Sequence, residues 1–250
     1  MKVAELKMAA KTLSLAVCIF LSLVACTSAD SRLERTSAPR VPVIYCTDLF
    51  HPHDDPDDHF DLATLYALPE LDILAVVLDQ GARQLEKPGR IPVSQMNAIT
   101  GRQVPAVAGL ADKLTAPADP GLDQPARFQE GVETILELLR SSGRPVDVVT
   151  TGSVRDLAAA YNREPELVKN KVRRGTAFIG EASSDFLEYN VQLDPNAWIC
   201  LLRSGLNLYW VPCFDGQTEG GTLTNHGHAS FWLAPHRDLL ADCAPELLQY

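Results

Sequence analysis

Apolar runs of strand length alternate with amphipathic runs of helix length from Val41 to Val211, and this alternation restricts the fold more than any other feature of the chain. Val41-Pro42-Val43-Ile44-Tyr45-Cys46 and Asp72-Ile73-Leu74-Ala75-Val76-Val77-Leu78 read as buried strands. Residues 104–108, 146–150, 176–179 and 206–211 read as further strands. Between them, Phe60, Leu62, Ala63, Leu65, Tyr66 and Leu68 keep helical spacing after Asp58, and residues 93–99 form a short helical pattern. Over residues 127–139, Phe128, Val132, Ile135, Leu136 and Leu139 share one helical face. Residues 154–161 and 195–203 are helical too, the latter with a proline in its first turn, where proline is tolerated. The pattern predicts an α/β fold with a mostly parallel open sheet and helices on both faces. In such sheets ligands sit beyond the carboxyl ends of the strands.

The first strand ends in Thr47-Asp48, and an acid-rich loop, Leu49-Phe50-His51-Pro52-His53-Asp54-Asp55-Pro56, closes with Asp57-Asp58. Asp48, Asp57 and Asp58 should therefore converge where such folds do chemistry. Carboxylates this close repel one another unless a cation or shared protons hold them. A hard, oxygen-seeking cation such as calcium or magnesium suits them. The plainer alternative is a solvated loop with Asp58 as a helix N-cap. A zinc reading of His51-x-His53-x-Asp55 stops short, because Pro56 stands where a last ligand would be and cannot ligate.

Two more polar clusters follow strand-like or loop segments. Val148-Val149-Thr150-Thr151-Gly152-Ser153 turns directly into a helix. A backbone carbonyl there could reach a metal, and Gly152 allows close approach; an ordinary tight turn capped by Ser153 is the alternative. In Glu188-Tyr189-Asn190, read as extended chain, the Glu and Asn point the same way and would suit sugar hydroxyls. A polar surface loop is the alternative.

The start of the chain reads as a targeting segment. Lys2, Lys7 and Lys11 precede an apolar stretch over residues 13–25 that is too short for a stable span. It ends Leu23-Val24-Ala25-Cys26, which resembles a bacterial lipoprotein signal with its lipidated cysteine. The expected organisation is a signal over 1–25, a flexible tether over 26–40 and one domain over 41–250. The protein is then exported and lipid-anchored through Cys26 to the bacterial envelope, facing the periplasm; an ordinary secretory signal cut nearby is the alternative, and it too implies export. Residues 1–25 carry three Lys and one Glu, so the remaining chain carries a formal charge of −12 against −10 for the whole. That acidity argues against nucleic acid as a partner, since phosphate binding needs Lys and Arg. Cys46, Cys200, Cys213 and Cys243 are widely spaced, and Cys46 and Cys200 fall in apolar patterns that suit buried free thiols.

Taken together, the motifs resemble the inosine–uridine-preferring nucleoside hydrolases. Thr47-Asp48 with Asp57-Asp58 is similar to the family's Asp-Thr-Asp, loop and Asp-Asp, and Leu68-Pro69-Glu70-Leu71 is similar to its Ser-Pro-Glu-Leu. Thr151-Gly152-Ser153-Val154-Arg155-Asp156-Leu157-Ala158 is similar to its Thr-Gly-Pro-Leu-Thr-Asn-Leu-Ala. Glu188-Tyr189-Asn190 and Asp194-Pro195-Asn196-Ala197 are similar to its Glu-Phe-Asn and Asp-Pro-Glu-Ala. The resemblance implies calcium held by Asp48, Asp58 and the Thr151 carbonyl, with Asp48 taking a proton from the attacking water. It implies Asp57, Glu188 and Asn190 on the hydroxyls of a riboside, and an N-glycosyl hydrolase acting on ribonucleosides. A homo-oligomer stays open. The sequence departs from the family near Asp79-Gln80-Gly81, where a Gly-Asn is expected, and at Ala182, near which the family has an Asn. His226-Gly227-His228 lies near the family's late His-Asp pair but has no following Asp. These departures leave two alternatives open, a non-catalytic riboside- or metal-binding member of the fold and an unrelated metal-dependent hydrolase using His51 and His53.

Overall fold

The computed structural model describes residues 39–54, 56–216, 227–228 and 234–250. Strands β1 (Val41–Thr47), β2 (Leu71–Leu78), β3 (Ala106–Ala108), β4 (Val146–Thr150), β5 (Val172–Phe178) and β6 (Leu208–Val211) form one open sheet in the order β3-β2-β1-β4-β5-β6. Every neighbouring pair is parallel. The chain starts in the middle of the sheet, winds out to β3, returns to β4 beside β1, and winds out the other way to β6. That reversal creates a switch point between the carboxyl ends of β1 and β4, where such sheets open a crevice.

Side chains alternate along each strand and so feed two cores. Ile44 and Cys46 of β1 and Val77 of β2 pack with Ile135, Leu139 and Leu157 on one face. Tyr45, Val76 and Leu78 pack with Leu62, Tyr66, Val93 and Met96 on the other. The helices that cover these faces are α1 (Asp57–Ala67), α2 (Arg90–Thr100), α3 (Glu130–Ser141), α4 (Arg155–Arg163), α5 (Pro165–Lys171), α6 (Tyr189–Leu193), α7 (Pro195–Arg203) and the short α8 (His236–Leu239). Val132, Ile135, Leu136 and Leu139 form the buried stripe of α3, as their spacing predicts. The fold is the expected parallel α/β sheet with helices on both faces.

The differences lie at element edges. β5 begins at Val172, ahead of the expected 176, because exposed Arg173 and Arg174 hide its start. Arg173 is held there by a bidentate pair with Asp147 of β4. The polar α5 escapes the periodicity reading, although Pro165 sits at its first turn. Phe128 belongs to a separate 3-10 turn before α3, yet still packs inward. Cys46 and Cys200 are buried free thiols, as expected, and Cys213 and Cys243 are also unpaired. Arg40–Tyr250 forms one compact unit. The expected signal, Cys26 and the tether up to residue 38 lie outside the described residues. Among the described residues no helix is long and apolar enough to cross a membrane.

Candidate functional site

Asp48 is the first residue beyond β1 and Thr151 the first beyond β4. Pairing of Cys46 with Thr150 and a hydrogen bond from Thr151 N to Cys46 O (3.0 Å) bring the two strand ends together. Gly152 makes the approach possible. A Cβ there would fall 2.9 Å from both the backbone N and Oδ1 of Asp48. Asp58 reaches the same place from the first turn of α1 and is buried. Its Oδ1 accepts from Thr47 Oγ1, from Thr151 Oγ1 at 2.7 Å and from Tyr45 OH at 3.3 Å. Asp57 is exposed and its Oδ1 accepts from Asp58 N at 2.8 Å. The N-cap of α1 is Pro56, without a side-chain cap, so the reading of Asp58 as N-cap is wrong. Both acids lie in the first turn, where the helix dipole favours negative charge.

Burial, and then the neighbouring Asp58, Asp79 and Asp57 carboxylates, push the Asp48 carboxyl well above the usual range. This crowding is what a bound cation or a held proton would relieve. The donors here are carboxylate and carbonyl oxygens, the chemistry that suits a hard divalent cation such as calcium. Among the described residues no three His, Cys, Asp or Glu side chains converge on one point. Asp48, Asp58 and the Thr151 carbonyl are the oxygen groups at the two strand ends that could contribute to a cation shell. His51 and His53 lie with their rings 6.4 and 5.6 Å from that of His59. Their zinc reading finds no converging ligand set among the described residues.

Glu188 and Asn190 approach from the next strand end, but not as extended chain. Glu188 is the N-cap of α6, and Asn190 lies inside that helix, which corrects the reading of 188–190 as a strand-like pair. Local capping chemistry decides this, because Glu188 accepts from Asn190 N, Val191 N and Gly180 N. Asn190 nonetheless faces the site. Its Nδ2 donates to the carbonyls of Thr151 and Phe178, both at 3.0 Å. All the candidate residues therefore meet at the carboxyl ends of β1, β4 and β5. The late His226 lies outside the described residues, while His228 N donates to the buried Asp215 Oδ2 at 2.7 Å.

Several site residues escape sequence reasoning. Asp79, one residue past β2 and 1% exposed, accepts from Ser153 N at 2.8 Å and so fixes the turn that carries Thr151. Gln80 has a left-handed backbone (φ 54°), and its Nε2 lies 3.4 Å from Asp48 Oδ2. Arg155, 3% exposed, donates to Asp194 Oδ2, Leu110 O and Leu193 O, and lies 3.9 Å from Asp79. It thereby ties the ends of three connections to the β4 turn. Burial and then Glu188 push the Cys213 thiol up, with Asp57 and Asp48 adding to it, so this thiol lies against the acidic cluster. The one available signal for these residues is position: Asp79 and Cys213 each follow a strand end. A separate cleft of about 250 Å³ is lined by Phe186, Leu187, Val191, Trp198 and Trp210, and none of the candidate site residues lines it.

The sequence matches the family model for inosine-uridine preferring nucleoside hydrolases over residues 47–240. It is 28% identical over 171 residues to the pyrimidine-specific ribonucleoside hydrolase RihA of Escherichia fergusonii, covering 60% of this chain and 54% of that protein. The chain thus spans about half the length of the curated relatives it matches. Its fold is similar to the inosine-uridine preferring nucleoside hydrolase of Bacillus anthracis (TM-score 0.54, 15% identity, 69% of this chain and 64% of that one). It is also similar to the type III effector protein XopQ complexed with adenosine diphosphate ribose (TM-score 0.53, 19% identity, 75% of this chain and 62% of that one).

Proposed function

The chain belongs to the inosine-uridine preferring nucleoside hydrolase family, and on that premise we propose that it hydrolyses the N-glycosidic bond of ribonucleosides or related ribosides with the help of calcium. The observation that carries the reading is the meeting of Asp48, Asp58 and the Thr151 carbonyl at the β1–β4 switch point, with Asn190 bonded to that same carbonyl. Asp48, Asp58 and the Thr151 carbonyl would hold the ion. Bound there, it would lower the pKa of water and fix its position. Asp48 would accept the proton of the attacking water from its place at the end of β1. Asp57, Glu188 and Asn190 take the ribose hydroxyls and orient the ring. As the glycosidic bond lengthens, positive charge grows on the ribose, and the surrounding carboxylates stabilise it.

Reducing-sugar release from a panel of ribonucleosides, with and without a calcium chelator, tests this. Chelator-sensitive release is expected; no release from any riboside overturns the activity, and release untouched by chelator overturns the ion. Asp58→Asn should weaken calcium binding in a calorimetric titration by removing a charged ligand. Equal affinity in both proteins removes Asp58 from the site.

A second reading, ribose or metal binding without turnover, is favoured by the missing Asp after His226-Gly227-His228. Under it, ribose raises the unfolding temperature while no riboside is cleaved. We also propose that the protein is exported and anchored to the bacterial envelope through a lipid on Cys26. Membrane fractionation tests this: Cys26→Ser should leave the protein uncleaved or soluble, and a wild type found wholly in the soluble fraction refutes the anchor.

A further inference from the structure

We infer that the end of the sheet opposite the carboxylates is a docking surface for anionic phospholipid. Parallel strands put all their amino ends at one end of the molecule, and pairing of Val146 with Val172 and of Gly175 with Leu208 sets β4, β5 and β6 side by side there. That end carries Arg144, Lys169, Lys171, Arg173, Arg174 and Arg203, in a chain whose formal charge is −10. The segments that bear these cations are tied to one another. Lys171 Nζ donates to Ser142 O and Asn207 Nδ2 donates to Arg173 O, both at 2.8 Å.

Acids answer only part of this charge. Arg173 is paired with Asp147, and Lys169 lies 3.9 Å from Glu166. Among the described residues Arg144, Arg174 and Arg203 form no ion pair, and all three are exposed. Arg174 is held over the ring of Tyr209, 4.2 Å from its centre. The carboxylates Asp48, Asp57, Asp58 and Asp79 gather at the opposite end, and Glu70 and Asp72, at the start of β2, are separated from the cations of β4–β6 by β1. A polyanion is the complementary partner for the basic end.

The course of the chain selects a membrane among polyanions. β1 is parallel to β4 and beside it, so the polypeptide enters the fold at Arg40, at the basic end. Upstream lies the lipoprotein-like leader ending Ala25-Cys26. Arg40 stands only fourteen positions after Cys26. A lipid on Cys26 would hold the basic end close to a bilayer, and the attraction of anionic headgroups reaches only about 8–10 Å in physiological salt. Docked this way, the carboxylate end faces away from the bilayer and stays open to solutes. The inference takes its choice of partner from the leader reading and does not depend on riboside hydrolysis.

The test is co-sedimentation of residues 26–250 carrying Cys26→Ser, so that neither the apolar leader nor a lipid is attached, with phosphatidylcholine vesicles alone or mixed with phosphatidylglycerol. Stronger binding to the mixed vesicles, lost at high salt, is expected. Combining Lys169→Gln, Arg174→Gln and Arg203→Gln should weaken that binding by roughly fivefold per cation removed, with an unchanged unfolding temperature. A control combining Arg90→Gln and Arg127→Gln, from the other end, should bind as wild type does. Equal binding to both vesicle types, wild-type binding by the triple variant, or tighter binding to single-stranded RNA than to the anionic vesicles overturns the inference. Riboside turnover measured on the same samples reports on the activity alone, so either reading fails without the other.

Discussion

Asp156 is a carboxyl group with no room for water. A Cβ on Gly109 would lie 2.2 Å from its Oδ2, and Leu110 N donates to its Oδ1 at 3.0 Å. Burial, and then Asp79, push its pKa up to about 7. The sign follows from linkage. The native state keeps a proton that the unfolded chain has lost between about pH 4 and 7, so stability falls as pH rises through that window and levels off above it. Asp156→Asn keeps the bond from Leu110 and removes the titration. The variant should gain on wild type as pH rises from about 4 to 7, with a ceiling of about 4 kcal/mol at 1.36 kcal/mol per pH unit. Urea unfolding at a series of pH values measures it, and parallel stability curves would sink the account. Arg155 is the neighbouring case of opposite charge. Arg155→Met leaves Asp194 (0% exposed) and Asp79 without their cation, and a loss of about 3–5 kcal/mol is expected in the same unfolding assay. A loss under 1 kcal/mol would mean that the two acids are satisfied by backbone N–H groups alone.

At the level of elements, α6 decides how Glu188 and Asn190 are presented. Five residues cannot hold a helix by propensity alone. Glu188 compensates by accepting three backbone N–H groups, which also joins the helix to the end of β5 at Gly180. Glu188→Ala should therefore cost about 1–2 kcal/mol of stability in thermal unfolding. It should also lower riboside turnover. Asn190→Ala keeps the cap and should cost less stability, yet turnover should fall as well, because Asn190 holds the Thr151 carbonyl at the site. Equal stability losses in the two variants would show that the cap carries no special weight. The turn after β4 works in the same way. Its closeness to Asp48 needs Gly152, and its direction comes from Asp79, just past the end of β2.

For the whole molecule, the order β3-β2-β1-β4-β5-β6 makes β1 and β4 the innermost strands and β3 and β6 the edges. β1 and β4 are almost wholly buried, whereas Tyr209 and Trp210 of β6 are about half exposed. Local opening should follow this gradient. Amide hydrogen exchange should be slowest in Ile44–Cys46 and Val148–Thr150 and markedly faster in β3 and β6. Protection of β6 equal to that of β1 would contradict it. The site thus rests on the most stable strands, which suits residues that must hold their geometry.

Strand and helix periods, and the order of the elements, were legible because hydrophobic patterning is a local property of the chain. The same held for the positions of Asp48 and Thr151, just past strand-like runs, and of Asp57 and Asp58, at the start of the following helical run, where a parallel sheet collects its loops. Tertiary structure alone decided the rest. Whether 188–190 is strand or helix depends on a carboxylate finding the amide of Gly180. That Asp79, Arg155 and Asp194 form one buried network depends on contacts between residues up to 76 positions apart, Arg155 and Asp79 (155 − 79 = 76). Spacing along a chain carries the period of an element, while the partners of a buried charge are set by which strand ends the sheet order brings together.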